Sequence, residues 1–248
     1  MNDPLKMVHY STERERQMKI KLVMLLIAIS LAMTACGGNT EVGGDNDGTV
    51  ENRAEESSKE RKEESSEEKE TVSYTFGTYT DIGYENASLG YQFTAPEGCI
   101  VADENKIMRM AGFTWDMLGE DYSKAIIEYA KQAIVYDLYA AYSGTNNNVN
   151  VAVQQMNTST LSMFYLLEVT RQQLEASTAM DITIEPGTIE ATIAGKEYTG
   201  LKTITVVNGV TLTQELYMLI EEGRIVSITF TYVDEEAAEA LKGAFSEL

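Results

Sequence analysis

Residues 37–71 form a segment that cannot fold by itself and therefore divides the chain. They are mostly Gly, Ser, Glu, Lys and Arg, with two valines and no aromatic residue, and they carry 12 acidic and 5 basic groups. Such a composition offers too little apolar surface to offset the entropy lost on folding. As a flexible chain the segment spans about 30–35 Å between its ends, and about 120 Å when fully extended. We predict a spacer here, followed by one folded domain in residues 72–248.

An apolar run precedes the spacer and has the layout of an export signal. Lys19 and Lys21 lie ahead of an uncharged run of twelve residues, Leu22–Met33, and small residues then lead into Cys36. The run is shorter than the roughly 20 residues of a membrane-spanning helix. The order of these features resembles the lipobox of bacterial lipoproteins, although leucine is commoner there than the Met33 of this chain.

The lipoprotein resemblance implies that residues 1–35 are a cleaved signal peptide. Cys36 would receive a diacylglycerol thioether and become the new N-terminus, and two acyl chains suffice for stable membrane attachment. The protein would then lie at the extracytoplasmic face of the cell membrane, with 36–71 as a lipidated N-terminus and a disordered acidic linker. Translation beginning at Met18 would place Met-Lys-Ile-Lys directly before the apolar run. The alternative is an uncleaved membrane anchor with an incidental cysteine.

Scarce histidine and cysteine and an excess of negative charge exclude several kinds of chemistry. The only histidine, His9, lies upstream of the apolar run, so a mature protein would have no histidine-activated nucleophile, imidazole base or histidine-bound zinc. Cys36 and Cys99 are the only cysteines, so no disulfide framework is expected. Residues 72–248 carry 24 acidic and 9 basic groups, which opposes binding to nucleic acids and to anionic lipid. We expect no cofactor, no resident metal and no nucleic-acid partner.

Hydrophobic periodicity in residues 72–248 predicts an α+β fold in which helices flank an antiparallel sheet. Asn208-Gly209 is a strong hairpin signal because both residues tolerate positive φ, and Glu222-Gly223 predicts a second turn. The predicted strands are Ser73–Thr80, Ser88–Ala95, Lys202–Val207, Val210–Ile220 and Ile225–Tyr232. A further hairpin is predicted around the turn Ser143–Asn148. Its first strand has the alternating residues Tyr136, Leu138, Ala140 and Tyr142, and its second has Val149, Val151 and Val153. Three helices are predicted, and the first is Glu120–Ala133. The second is Thr160–Ser177, with Ser159 as N-cap and with Phe164, Leu167, Arg171 and Leu174 on one face. The third is a terminal helix capped by Asp234, in which Leu241, Phe245 and Leu248 recur at helical spacing.

This order of elements resembles the PsbP/Mog1-type α/β/α sandwich. The residues that carry the resemblance are the stretch Gly90-Tyr91-Gln92-Phe93-Thr94-Ala95-Pro96-Glu97-Gly98, and Gly195-Lys196-Glu197-Tyr198 with the strands that follow it. Many relatives have tryptophan after the proline-containing turn, where this chain has Cys99. The resemblance implies binding or assembly roles and no shared catalytic residues. The alternative is a plain α+β domain of another topology.

Cys99 and three acidic clusters are the candidate reactive groups, and each has a structural alternative. A buried lone cysteine acts as a small hydrophobe, and nearby carboxylates would raise its pKa, so we expect a structural Cys99 rather than a redox site or an intermolecular disulfide. The acidic clusters are Asp116-Glu120-Asp121, Glu221-Glu222 and Asp234-Glu235-Glu236. Paired carboxylates can hydrolyse glycosides or bridge calcium weakly, but a hairpin corner and a helix N-terminus explain the last two clusters.

Aromatic residues provide the candidate recognition surface. Strand alternation places Tyr136 and Tyr142 on one face and Tyr139 on the other, and rings of this kind serve either glycan or protein recognition or ordinary sheet packing; we favour packing. Trp115, the single tryptophan, is a binding hot spot if exposed and a core residue if buried.

Together these features predict a membrane-anchored extracytoplasmic lipoprotein that acts without catalysis as a binding or assembly module. Its expected contacts are the membrane, through lipid on Cys36, and a protein or glycan of the cell envelope. A carboxylate-dependent hydrolase of cell-wall or glycan material is the alternative, and a purely assembly-supporting subunit of an envelope complex is a third possibility.

Overall fold

A computed structural model describes residues 74–103, 106–107, 134–156, 161–176, 182–207 and 209–248. The predictions for the signal segment, for Cys36 and the spacer, for a helix at Glu120–Ala133 and for Trp115 lie outside these residues. The described part has twelve strands and two helices of three residues or more. The strands are β1 Thr78–Thr80, β2 Gly83–Asn86, β3 Tyr91–Thr94, β4 Cys99–Val101, β5 Ile134–Tyr142, β6 Asn148–Gln155, β7 Ile182–Ile184, β8 Ile189–Ile193, β9 Lys196–Val207, β10 Val210–Glu221, β11 Arg224–Tyr232 and β12 Phe245–Glu247; the helices are α1 Met163–Ala176 and α2 Glu235–Gly243.

The strands form two antiparallel sheets. The long sheet has the order β4-β5-β6-β11-β10-β9-β7, with β8 also paired to β9, and the small sheet has the order β1-β2-β3-β12. In the long sheet Leu138, Val151 and Ile228 lie opposite one another on one face, which packs against small-sheet residues such as Phe93. We call this the inner face, and α2 also covers it through Ala238 and Leu241.

The opposite face of the long sheet, which we call the outer face, packs in part against α1. Leu166, Leu167 and Leu174 of the helix form a second core with Leu201, Leu216, Met218 and Ile225 of the sheet. The fold is therefore mixed α+β and mostly antiparallel sheet, as predicted, but a second sheet shares the inner side with a helix. The PsbP/Mog1-type arrangement stays a prediction.

Strands β9, β10 and β11 of the long sheet agree closely with the prediction from the sequence. Residues 207 and 210 pair directly across the predicted Asn208-Gly209 turn, and Gly209 has a φ of 81°. Glu222 and Gly223 both have positive φ, at 48° and 73°, as the tight hairpin between β10 and β11 requires. Val226, Ile228, Phe230 and Tyr232 line the inner face, as predicted.

The terminal helix is shorter than predicted. It begins after Asp234, whose carboxylate accepts the backbone N–H of Glu236 at 3.0 Å, but it ends at Gly243. Phe245 belongs to β12, pairs with Phe93 of β3 and packs edge-to-face against its ring, with ring centroids 5.0 Å apart. The prediction of a helix from the spacing of Leu241, Phe245 and Leu248 was therefore wrong. Pairing with the edge of β3 and aromatic packing determine the conformation of the last residues.

Other local predictions need correction. The first predicted strand is observed only as β1, and β2, β4, β7 and β8 were not predicted. In α1 the predicted face is partly wrong, because Phe164 is 80% exposed while Leu166, Val169 and Thr170 are buried. The helix begins at Met163, and the Ser162 hydroxyl accepts the backbone N–H of Tyr165 at 3.2 Å. The predicted cap, Ser159, lies outside the described residues.

A β-bulge in β5 changes which side chains share a face. Tyr136 lies opposite Ala152 and Leu138 lies opposite Val151, so Asp137 is an extra residue between two paired positions. Before the bulge Tyr136 faces outward, and after it Leu138, Ala140 and Tyr142 face inward. The predicted grouping of Tyr136 with Tyr142 is therefore wrong, and Tyr136 shares the outer face with Tyr139.

Candidate functional site

The outer face carries a field of buried polar side chains over β5, β6 and β11. Strand β6 reads Asn-Val-Asn-Val-Ala-Val-Gln-Gln, so its valines face inward while Asn148, Asn150 and Gln154 face outward. Strand β11 contributes Ser227, Thr229 and Thr231 opposite these positions. We call Tyr136, Asn148, Asn150, Gln154 and Thr229 the outer polar face, and all five are less than a tenth exposed.

These five side chains hold polar atoms that are buried and have no hydrogen-bond partner. The atoms are the Tyr136 hydroxyl, Asn148 Oδ1, both Nδ2 and Oδ1 of Asn150, Gln154 Oε1 and the Thr229 hydroxyl. Buried polar atoms in folded proteins nearly always have partners, and each unpaired group costs about 1–3 kcal/mol. These atoms are almost completely enclosed by the protein itself, so this part of the outer face is not open to solvent.

The outer polar face is electrically neutral. Along β5, β6 and β11, the outward positions are filled by Ile, Tyr, Ala, Asn, Gln, Ser and Thr, with no charged side chain among them. Burial raises the pKa of the Tyr136 hydroxyl well above its ordinary value, so this group also stays protonated and neutral. The face can donate and accept hydrogen bonds but supplies no formal charge.

The neighbouring strands show what satisfied polar groups look like on the same face. Gln214 of β10 lies opposite Thr231, and its amide Nε2 donates to the Thr231 hydroxyl at 3.0 Å. Beyond Gln214 the face becomes apolar where α1 packs on it, although Thr170 of α1 and Thr205 of β9 add two further buried, unpaired hydroxyls.

A buried carboxylate, Asp137, lies on the other side of the long sheet. The bulge directs it between the sheets, where its Oδ1 accepts hydrogen bonds from the Tyr74 hydroxyl, the Tyr84 hydroxyl at 2.7 Å and Asn86 Nδ2 at 2.8 Å. Its Oδ2 accepts the Tyr91 hydroxyl at 2.6 Å. Burial, followed by the negative charge of Asp137, raises the pKa of all three tyrosines. This carboxylate joins the two sheets, and four donors engage its two oxygens.

Glu215 is the second buried carboxylate of the inner side. It accepts hydrogen bonds from Tyr217 at 3.0 Å and Tyr232 at 2.9 Å, and Lys242 Nζ of α2 lies 2.8 Å from its Oε2. Burial acts to raise the pKa of Glu215, but the hydrogen bonds from Lys242 and the tyrosines outweigh it and lower the pKa. This group fastens α2 to the sheet.

The acidic corners predicted as candidates are accounted for by local contacts where the structure describes them. Glu221 pairs with Lys196 Nζ at 2.6 Å, and Glu222 lies 3.8 Å from Arg224. Asp234 is a helix cap. Within the described ranges no three His, Cys, Asp or Glu side chains lie close enough together to hold a metal ion. The cluster Asp116-Glu120-Asp121 lies outside these ranges.

Cys99 begins β4 at the edge of the long sheet and is half-buried against the inner core. Burial raises the pKa of its thiol to about 11, so the cause differs from the neighbouring carboxylates expected from the sequence. A thiol of this kind is mostly protonated at neutral pH and is a weak nucleophile.

The tyrosines mainly form the core. Tyr136 and Tyr139 are buried on the outer side, and Tyr142 is half-buried beside the inner core. Sequence reasoning missed the outer polar face, although the alternation of Asn and Val in β6 was visible. It also missed Asp137 and Glu215, because isolated acidic residues within strands are ordinarily solvent-exposed.

No protein-family model and no curated protein matches the sequence. Solved structures similar to the chain include the following two. One is LpqN of Mycobacterium tuberculosis, described as involved in cell envelope biogenesis, with 11% identity and a TM-score of 0.37 over 63% of this chain and 82% of LpqN. The other is PA94 of Pseudomonas aeruginosa, with 13% identity and a TM-score of 0.26 over 37% of this chain and 63% of PA94. Both TM-scores lie below 0.5.

Neither α1 nor α2, the helices of the described part, is long and apolar enough to cross a membrane.

Proposed function

We propose that this protein is an extracytoplasmic lipoprotein that acts as a non-catalytic binding or assembly module of the cell envelope. The observation that carries the location is the order of basic residues, a short apolar run and Cys36 ahead of a hydrophilic spacer. The observation that supports a non-catalytic role is that the two buried carboxylates of the described part, Asp137 and Glu215, are both engaged by structural partners.

The buried polar groups of the described part argue against catalysis. The amides and hydroxyls of the outer polar face are neutral, and none is a strong acid, base or nucleophile at neutral pH. The two buried carboxylates that could have served a hydrolase, Asp137 and Glu215, lie on the inner side and are engaged by tyrosines and Lys242. A hydrolase would need two carboxylates facing each other across a cleft.

The proposed location rests on the N-terminal sequence. The basic residues, the short apolar run and Cys36 follow one another as in lipoprotein signals, and residues 37–71 supply a hydrophilic spacer. The spacer leads to Tyr74, whose hydroxyl donates to Asp137 on the inner side of the long sheet.

The anchor is tested by expressing the full chain and the variant Cys36→Ser in bacteria and fractionating the cells. We expect the wild-type protein in the membrane fraction, with mass spectrometry of its N-terminal peptide showing a diacylglycerol thioether on Cys36. The variant should lack the lipid. An unmodified Cys36 with residues 1–35 still attached would overturn the location.

Ligand binding is tested by native mass spectrometry of the full-length protein extracted gently from membranes. We expect bound mass that is released on denaturation. Wild-type protein without any bound ligand would contradict the binding function.

A further inference from the structure

We propose that residues 74–80, which we call the arm, are exchanged between two copies of the chain. The arm comprises the approach to β1 and β1 itself. In the exchanged pair, the arm of each copy occupies the place that the other copy's arm has left. A second copy is thereby the partner for the proposed assembly role, on which this assignment rests.

The arm can leave its own domain without separating other elements. Strand β1 is the edge of the small sheet and pairs with β2 over three residue pairs. Ahead of β1, the Tyr74 hydroxyl donates to Asp137, and the backbone N–H of Gly77 donates to the Tyr84 hydroxyl at 2.8 Å. These contacts are made by side chains and by one strand edge, so they can be broken and remade as a set.

The place that the arm occupies is specific for an identical arm. The Tyr74 ring lies beside the Arg224 guanidinium, whose Cζ is 5.8 Å from the ring centroid. A β-carbon at Gly77 would collide with the Tyr84 ring. A foreign segment would need a tyrosine and a glycine at the same spacing, whereas a second copy supplies both. Because every contact is formed again in the exchanged pair, the exchange itself loses no contact energy.

The connection between β1 and β2 is suited to act as the hinge. Thr80 pairs with Gly83, so Asp81 and Ile82 form the whole loop. Two-residue hairpin loops favour turns with positive φ, but neither Asp81 nor Ile82 has a positive φ. Ile82 is also β-branched, and such residues favour extended backbone over turns. This loop therefore loses little when it opens, and short hinge loops are known to promote exchange.

Exposed apolar side chains are concentrated on the arm and its hinge. Phe76, Tyr79 and Ile82 are 57%, 43% and 67% exposed. Clustered apolar groups of this kind are typical of interaction surfaces. Exchange brings the hinge regions of two copies together, so these groups can be buried against one another, which a single copy does not offer.

The spacer allows the arm to reach another domain. It directly precedes the arm and spans about 30–35 Å as a flexible chain. In the proposed anchored form the copies share one membrane, which raises their effective concentration. The 24 acidic and 9 basic groups of residues 72–248 oppose close approach, so the exchanged fraction should rise with added salt.

The test traps the exchanged pairing with a disulfide between two differently substituted full-length copies. Thr78 and Glu85 are directly paired in β1 and β2, within reach of a disulfide. One copy carries Thr78→Cys and the other Glu85→Cys; both are expressed in the same cells, which are treated with an oxidant. The matched control is the pair Thr192→Cys and Glu197→Cys, at paired and exposed positions of β8 and β9. A single chain with both Thr78→Cys and Glu85→Cys should form the bond internally, which shows that the domain is folded in this register.

We expect a covalent dimer from the co-expressed Thr78→Cys and Glu85→Cys copies and none from the control pair. The dimer should be lost when both copies also carry Ile82→Gly, because an Asp-Gly turn favours the closed hairpin.

Three results would overturn the exchange. Equal dimer in the control pair would show random collision, and dimer from Thr78→Cys copies alone would show edge-to-edge contact of β1. An internal disulfide in the doubly substituted chain without any dimer from the co-expressed copies would show that the arm stays on its own domain. If the internal disulfide does not form either, the arm is not paired as inferred and the exchange fails as well. In each case the location is still decided by the Cys36→Ser fractionation, and the assembly role would require another partner.

Discussion

Replacing Asp137 is the sharpest test of how the two sheets are held together. Its two carboxylate oxygens accept four hydrogen bonds, three from tyrosine hydroxyls of the small sheet or its approach and one from the Asn86 amide. Three of these donors, on Tyr84, Tyr91 and Asn86, are almost completely buried. In Asp137→Ala they lose their acceptor and cannot turn to solvent.

The expected cost follows from these contacts. Each buried donor left unpaired costs about 1–3 kcal/mol, and part of that sum is returned because a buried carboxylate no longer has to be desolvated. We expect a net loss of about 3–5 kcal/mol for Asp137→Ala, the range seen when one member of a buried charged network is removed. Asp137→Asn keeps the shape and one carbonyl oxygen, so it should cost less, about 1–2 kcal/mol, through the loss of charge assistance.

The assay is equilibrium unfolding in urea, followed by circular dichroism at 222 nm and by tyrosine fluorescence. Asp81→Ala, at an exposed position before β2, is the control and should change the free energy of unfolding by no more than about 0.5 kcal/mol. Equal effects of Asp137→Ala and Asp137→Asn, or a loss below 1 kcal/mol for Asp137→Ala, would refute the view that this carboxylate joins the sheets.

Three further outcomes follow from the described contacts. Burial raises the pKa of tyrosines such as Tyr91 and Tyr136, so the native state keeps protons that the unfolded state loses above pH 10. The contribution of these tyrosines to the free energy of unfolding should be fully present below pH 10 and fall above it by up to about 1.4 kcal/mol per pH unit for each of them. A urea midpoint that does not change up to pH 11 would contradict this. Cys99 should react slowly with a thiol reagent at pH 7.5 and much faster in urea; equal rates would argue against its burial. Asp234→Ala should cost about 0.5–2 kcal/mol in urea unfolding through loss of the α2 cap, and no change would show that the cap is dispensable.

The parts of the fold that could be predicted are those specified locally. Turn residues with positive φ, at Asn208-Gly209 and Glu222-Gly223, set the connections between β9, β10 and β11, and alternating apolar residues set the buried face of β11. The Asp234 cap also depends only on residues within one helical turn.

The parts that could not be predicted depend on distant residues. A single extra residue at Asp137 reverses the facing of β5 from that point, and nothing in the periodicity of Tyr136–Tyr142 marks it. Phe245 leaves the helical pattern because β3 offers an unpaired edge and Phe93 an aromatic contact, 152 residues earlier in the chain. The outer polar face was hidden for a related reason, since Asn150 and Thr229 read as solvent-exposed residues until their burial is known.

The bond between Tyr74 and Asp137 gives the folded domain a defined point at which to take up mechanical load. A pull on the spacer enters at Tyr74 and passes through one carboxylate to β5 in the interior. If that contact yields, the three-residue strand β1 can peel from β2 one pair at a time, beginning at Thr78. In the proposed anchored form, a force on the N-terminal segment would therefore act on the short strand β1 before it disrupted the pairing of the long sheet.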